Sequence, residues 1–277
     1  MKVPTSISVI IPTYNEGAYI GDCLTALMPQ ISKGDEVIVI DNNSADNTID
    51  IAKGFKGVRV LTETQQGQIF AQRTGLMAAK NDLVARIDAD TIVADNWLIT
   101  IKARFSSAQA PDALSGPGYS YDTRFSYPAR LMGFVTFTTN RFISGFYPLW
   151  GSNFAIKKSV WLDVASASHD RRELWEDFEL GILLHDHGYK AAYEPALSVG
   201  YSARSVFQLS LWRSMAYQLR APRTYWAHGY WAVAVASVVE RSIIGLGAVP
   251  LMFAEYGLKV ADKLHGRSAK TGPTGRP

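Results

Sequence analysis

Two groups of carboxylates in this sequence are spaced for chemistry. Asp88-Ala89-Asp90 follows directly on the strand signal over 83–87. Two carboxylates two residues apart at a strand end can meet one hard cation, with water and phosphate oxygens completing an octahedron. A divalent ion held there would neutralise a diphosphate leaving group. The plainer reading is a solvated acidic turn, because Asp-x-Asp recurs by accident. The second group is Glu176-Asp177-Phe178-Glu179-Leu180, after Trp175. Acidic residues in a first helical turn complement the helix dipole. In the functional reading one of these carboxylates is a general base.

Two polar clusters could meet a nucleotide. Pro12-Thr13-Tyr14-Asn15-Glu16 follows the first apolar run, and its proline ends the strand. The alternative is a plain strand-to-helix turn capped by Asn15. Asp41-Asn42-Asn43-Ser44-Ala45-Asp46 follows the second run. Asp41 could accept a hydrogen bond from a base N–H or a ribose hydroxyl. Otherwise Asp41 is a turn residue and Ser44 a helix cap.

The elements that must position these residues alternate. Strand signals cover 7–11, 36–40, 58–61, 83–87 and 112–115. Helical signals cover 17–28, 44–52, 68–79 and 95–106. Continuous apolar runs flanked by helices mean strands buried on both faces, hence an α/β fold with a mainly parallel sheet. Sites in such sheets lie at the carboxyl ends of the strands, where all the clusters up to Asp90 fall. Farther along, 116–127 reads as a loop, 129–142 as a helix and 150–156 as a strand entered through a glycine. A helix over 176–187 and short strands over 190–193 and 197–201 follow. His185 and His187 on that helix point to different faces, which speaks against a shared metal site. Trp150 abuts Gly151, within reach of a sugar, although tryptophans at such positions are more often core.

The chain has 277 residues, 47 % apolar and 19 % charged, which supplies a sizeable core and excludes disorder for most of its length. A net charge of +3 leaves no nucleic-acid footprint. The single cysteine, Cys23, excludes an intrachain disulfide and a cysteine-based zinc site. The N-terminal segment has no signal-peptide pattern, so the expected location is cytoplasmic. From Val206 onward nine Lys and Arg face three Asp and Glu, a net of +6 against −3 for the rest. Glu240-Arg241 and Pro250 interrupt the apolar runs there, which argues against a membrane span. Trp212, Tyr217, Trp226, Tyr230 and Trp231, interleaved with Arg213, Arg220, Arg223 and His228, suit the cytoplasmic face of a membrane. The competing readings are a lid over the cleft and an oligomer interface.

Six elements, in this order, resemble the family 2 glycosyltransferases of GT-A fold: Pro-Thr-Tyr-Asn-Glu16, Asp41-Asn-Asn-Ser-x-Asp46, Gln72-Arg-Thr-Gly75, Asp88-x-Asp90, Gly151-Ser-Asn153 and Glu176-Asp-x-Glu-Leu180. The resemblance spans about residues 6–204. It implies a GT-A catalytic domain over 1–205; composition adds a helical, aromatic and basic region over 206–265 and a Gly-, Pro-, Ser-, Lys- and Arg-rich tail over 266–277 that reads as disordered. The resemblance implies a metal-assisted, inverting transfer of a sugar from a nucleotide-diphosphate sugar to a hydroxyl of a glycan or lipid-linked saccharide. Thr13, Tyr14, Glu16, Asp41 and Arg73 would line the nucleotide pocket, and Asp88 would lie near the ribose and donor sugar. Asp90, with Asp88, would hold Mn2+ or Mg2+. Gly151, Asn153 and Glu176 would border the donor sugar, and Asp177 would be the base. A UDP-sugar is the favoured donor, with GDP- and dTDP-sugars as alternatives. The chain departs from the family where Thr74 stands for the usual Asn, and where Tyr201 stands near a customary His ahead of Arg204. One rival function, sugar nucleotidyl transfer, needs a basic, glycine-rich phosphate loop that Pro12–Gly17 does not offer. The other is a non-catalytic nucleotide-sugar-binding or scaffold protein of the same fold.

Overall fold

The computed structural model describes residues 6–123, 126–165, 167, 174–204, 219–242 and 257. The first half runs β1 (Ser8–Thr13), α1 (Ile20–Leu27), β2 (Glu36–Asp41), α2 (Thr48–Lys53), β3 (Val58–Thr62), α3 (Gln68–Ala78), β4 (Leu83–Arg86), β5 (Ile92–Val93) and α4 (Trp97–Ser106). It continues as β6 (Ala113–Ser115), β7 (Gly118–Ser120), α5 (Ser126–Ser144), β8 (Phe154–Lys157), α6 (Lys158–Ala165), α7 (Glu176–Asp186), β9 (Ala191–Tyr193), β10 (Val199–Tyr201) and α8 (Arg220–Ala227).

A seven-stranded sheet in the order β3-β2-β1-β4-β8-β6-β9 forms the centre. All its pairs are parallel except those of β8, which runs antiparallel to β4 and β6. The central strands β1, β2, β4, β8 and β6 are buried almost throughout, while β3 and β9 at the two edges are half-buried. Alternate residues feed two cores. Val9, Ile11, Val37, Val39 and Ala85 pack under α1 and α4 with Leu24, Trp97 and Ile101. Ile10, Ile38, Ile40, Val84 and Ile156 pack under α3, α6 and α7 with Leu76, Trp161 and Leu183. Gly75 lets α3 approach closely, because a Cβ there would lie 2.7 Å from Ile40 Cδ1. A smaller core of Phe146, Phe178, Ile182, Ala221, Tyr225, Val233 and Ala234 joins α7 to the C-terminal helices.

Several local expectations are corrected. The helix after β2 begins at Thr48 and not at Ser44. The Ser44 hydroxyl instead accepts the backbone N–H of Asn15 at 2.9 Å, and Asn15 Oδ1 accepts the N–H of Ala45 at 2.8 Å. Asn15 therefore sits in the left-handed region, with φ 54°, and does not cap a helix. The loop expected over 116–127 contains β7, which pairs with β10 in a second sheet of order β5-β10-β7. Strands of two or three residues are too short to show alternation. Residues 150–153 form the turn into β8 and not its first half. His185 stacks on Phe146 at 4.8 Å while His187 faces Asp163 at 3.3 Å, so the two histidines do point apart. Helical residues 231–242 run through Glu240-Arg241. No helix among the described residues is long and apolar enough to cross a membrane. Most of 206–265, including Trp212, Arg213 and Tyr217, and the tail 266–277 lie outside the described residues.

Asn153 joins the layers. It is fully buried. Its Oδ1 accepts the Trp97 indole N–H at 2.8 Å, and its Nδ2 donates to the carbonyls of Leu197 at 2.6 Å and Pro117 at 3.4 Å. Asn153→Ala leaves buried donors and acceptors unpaired, each worth about 1–3 kcal/mol. We expect urea unfolding to give a loss of about 3 kcal/mol with an unchanged slope; a loss under about 1 kcal/mol would contradict this role.

Candidate active site

The carboxyl edge of the parallel strands gathers the polar clusters. Thr13 and Asp41 end β1 and β2 as register partners, and Arg86 ends β4. Because β8 is antiparallel, its start lies at the same edge, with Phe154 opposite Arg86. This direction reversal brings Gly151, Ser152 and Asn153 beside Asp88.

Arg86 organises one half of this edge. Its side chain is 1 % exposed. It donates from Nη2 to Asp88 Oδ1 at 2.8 Å, and its Nη1 lies 3.4 Å from Glu176 Oε1. Burial alone would lower its pKa, but Asp88, Glu176 and Asp177 together outweigh that and hold it fully charged. Gly151 is required alongside, since a Cβ there would lie 2.4 Å from Nη1. The Gly151 N–H donates to Asp177 Oδ2 at 2.8 Å, and the Phe178 N–H donates to Asp177 Oδ1 at 3.0 Å. Burial raises the Asp177 carboxyl, opposed by the Gly151 hydrogen bond and Arg86. Burial likewise pushes Glu176 up to about 7, with Arg86 acting against it and Asp177 with it.

Asp88 and Asp90 differ in what they have left to offer. Both Asp88 oxygens are engaged, Oδ1 by Arg86 and Oδ2 by the Ser152 hydroxyl at 2.5 Å. Asp90 Oδ2 has Arg204 Nη2 at 3.5 Å, and Arg204 also pairs with Glu16. Burial first, then the Asp88 charge, pushes Asp90 up to about 7. Burial also raises Glu16, against its Arg204 pair. Two arginines thus face five carboxylates, a deficit of positive charge that a hard divalent cation fits. Among the described residues no group of three or more His, Cys, Asp or Glu is arranged for a metal. A cation at Asp90 would draw its other ligands from diphosphate and water.

The half at the ends of β1 and β2 is tied together by backbone contacts. Thr13 is buried and donates to the Ile40 carbonyl at 3.2 Å. Tyr14 is 52 % exposed at the mouth of the edge. Asp41 is buried, and both its oxygens lie 3.3 Å from the Ser44 N–H. Arg73, on α3, lines a crevice of about 30 Å³ with Gln72, Trp161 and Glu176. Asn153 belongs to the core, because every polar atom of its side chain is committed inward. That placement leaves Gly151 and Ser152 as the residues of this turn that meet the edge carboxylates. Trp150 packs edge-on against Tyr201 at 5.1 Å. Arg86 and the Arg204–Glu16 pair were not singled out by sequence reasoning as site elements. An arginine ending a buried strand was the one available signal.

Comparisons with known proteins agree with this geometry. The family model for glycosyl transferase family 2 matches residues 8–162. The glycosyltransferase GlyG of Streptococcus pneumoniae is 33 % identical over 121 residues, which is 42 % of this chain and 40 % of that protein. The glycosyltransferase AglE of Haloferax volcanii is 33 % identical over 132 residues, 44 % of this chain and 40 % of that protein. The matched stretch therefore spans less than half the length of these relatives. Among solved structures, the mannosyltransferase PcManGT of Pyrobaculum calidifontis, in complex with GDP-Man and Mn2+, superposes with a TM-score of 0.63 at 17 % identity, covering 92 % of this chain and 75 % of that one. Glucosyl-3-phosphoglycerate synthase of Mycobacterium tuberculosis, with Mn2+, UDP and phosphoglyceric acid, gives 0.58 at 18 % identity, covering 85 % and 78 %. At these identities the likeness establishes the GT-A fold. Since the family model covers more than half of the sequence, the chain belongs to glycosyl transferase family 2.

Proposed function

We propose that this chain transfers a sugar from a nucleotide-diphosphate sugar to an acceptor hydroxyl, with inversion at the anomeric carbon. The observation that carries the reading is the buried Arg86. It ties Asp88, after β4, to the acidic first turn of α7, and so joins the carboxylates proposed for a cation to the proposed base. Tyr14, Asp41 and Arg73 would meet the nucleotide. Structural neighbours solved with GDP-Man or UDP support a donor of that class. Asp90, aided by Asp88, would hold Mn2+ or Mg2+. When bound, such an ion supplies charge neutralisation to the departing diphosphate.

Asp177 is the base in this proposal. Each of its oxygens accepts one backbone N–H and keeps a lone pair for the acceptor hydroxyl. The hydroxyl proton passes to Asp177 as the new oxygen–carbon bond forms and the bond to the diphosphate breaks. One base and no enzyme nucleophile give inversion. Ser152 and Gly151 border the donor sugar, and Arg86 holds Asp88 and Glu176 in place.

The C-terminal region supplies the acceptor side of the proposal. Trp226 and Trp231 are 59 % and 63 % exposed and lie 6.2 Å apart, above a groove lined by Leu219, Pro222, Arg223 and Val238. Aromatic rings with arginines suit an anionic membrane face, where a lipid-linked acceptor would be met. The double variant Trp226→Ser/Trp231→Ser should stop co-sedimenting with phosphatidylglycerol vesicles while the parent binds at low salt. A parent that ignores such vesicles assigns the groove to a lid or a second subunit.

Three outcomes test the catalytic reading. Asp177→Asn should bind UDP or GDP with Mn2+ like the parent and lose transfer by about 10²–10⁴. Parental transfer by this variant would remove Asp177 as base. Asp90→Ala should lose the Mn2+-dependent part of nucleoside diphosphate binding in calorimetry and keep its fold, whereas unchanged affinity would end its metal role. The base works only when ionised, so transfer must fall as pH drops through its pKa. Because burial raises the Asp177 carboxyl, that fall should come above the ordinary aspartate value of about 3.9. A pH–rate profile flat down to about pH 4 would contradict it.

A further inference from the structure

The proposed reaction needs the Asp177 carboxylate held still, yet α7 begins without a side-chain cap. Its first turn also crowds Glu176, Asp177 and Glu179 together. Helical geometry divides this turn between two neighbours. Glu176 and Asp177 face the sheet edge and meet Arg86 and Gly151. Trp175, Phe178 and Glu179 face the C-terminal helices.

That second face is fully engaged. The Trp175 N–H donates to Thr224 Oγ1 at 2.9 Å. Phe178 meets Tyr225 edge-on at 6.0 Å, and Tyr225 in turn donates from its hydroxyl to Asn140 Oδ1 on α5. The Arg241 guanidinium lies 4.9 Å over the Trp175 ring and 5.6 Å from that of Phe178. Glu179 is 1 % exposed, and its Oε1 lies 3.0 Å from His228 Nε2, whose side chain is 9 % exposed. Ala221, Thr224 and Tyr225 of α8 and His228 at its C-terminal cap follow helical spacing.

A buried carboxylate is tolerated only when a partner satisfies it. Glu179 lies two residues beyond Asp177, so the contact that fixes Glu179 also fixes the rotation of the turn carrying the base. We propose that His228 is a positioning residue of the transfer site. Through Glu179, with Thr224 on the Trp175 N–H, it clamps the first turn of α7 and aims Asp177 at the acceptor. Misplacement of a reacting group by about 1 Å can lower a rate by about 10². The inference rests on Asp177 being the base, and its test separates the two.

The full chain and its variants His228→Ala, His228→Gln and Asp177→Asn would be compared on UDP-glucose and GDP-mannose with Mn2+. Turnover would be split into kcat and donor KM, and amide hydrogen exchange would be followed over residues 176–179. His228→Ala should lower kcat by about tenfold to a hundredfold with donor KM within about twofold, and should speed exchange in the first turn of α7. His228→Gln, which keeps an N–H within reach of Glu179, should restore most of kcat and of the protection. Parental kcat and exchange in His228→Ala would overturn the clamp, as would glutamine behaving like alanine. Should His228→Ala fail to fold, His228→Asn, which withdraws the N–H by one methylene, takes its place. Parental turnover in Asp177→Asn would overturn the base and not the clamp, which the exchange measurement decides by itself.

Discussion

Everything at the active edge follows from placing a guanidinium where water cannot reach it. Arg86 ends a central strand, is almost wholly buried, and cannot lose its charge. Desolvating an ion costs several kcal/mol unless well-oriented partners surround it. The chain meets this demand with Asp88 from its own strand end and with Glu176 and Asp177 from a helix ninety residues later. Space for the guanidinium requires the glycine at 151, and the N–H of that glycine then orients Asp177. The arginine is outnumbered by its carboxylates. Burial first, with neighbouring carboxylate charges beside it, holds Glu176 and Asp90 up near 7. The same imbalance that makes the unliganded edge costly suits it to a cation and a diphosphate.

A single reversed strand makes this economy of parts work. Were β8 parallel to β4, residues 151–153 would lie at the opposite edge of the sheet, far from Asp88. Running antiparallel, β8 delivers Gly151 and Ser152 to the edge and sends Asn153 inward to lock the two sheets together. On the far side of α7 the C-terminal helices complete the arrangement. They leave an apolar, tryptophan-bearing face outside and hold Trp175, Phe178 and Glu179 inside. The segment proposed to meet an acceptor is thus also the segment that packs on α7, where the proposed base lies.

Local sequence patterns made part of this legible. The runs before Pro12 and Asp41 are rich in Val and Ile, and the run before Asp88 is apolar but for Arg86, so β1, β2 and β4 and the polar clusters at their ends could be read directly. What escaped is non-local or very short. Glu16 and Arg204 are 188 residues apart, and Glu179 and His228 are 49 apart. No spacing rule joins such pairs. The direction of β8 is a property of its neighbours and leaves no mark on four residues. Strands of two or three residues, β5 and β7, carry no period. Asn153 illustrates the reverse case: its position at the active edge was legible, and its inward rotamer was not.

The central claim is that one carboxylate activates the acceptor while the diphosphate leaves from the opposite face. The stereochemistry of the first product tests it most directly. Proton NMR should follow the sugar released from UDP-α-glucose or GDP-α-mannose with Mn2+ in the first minutes, before mutarotation. The account predicts the β-anomer as the initial product. Initial release of the α-anomer would contradict it, since retention requires a covalent or front-face route.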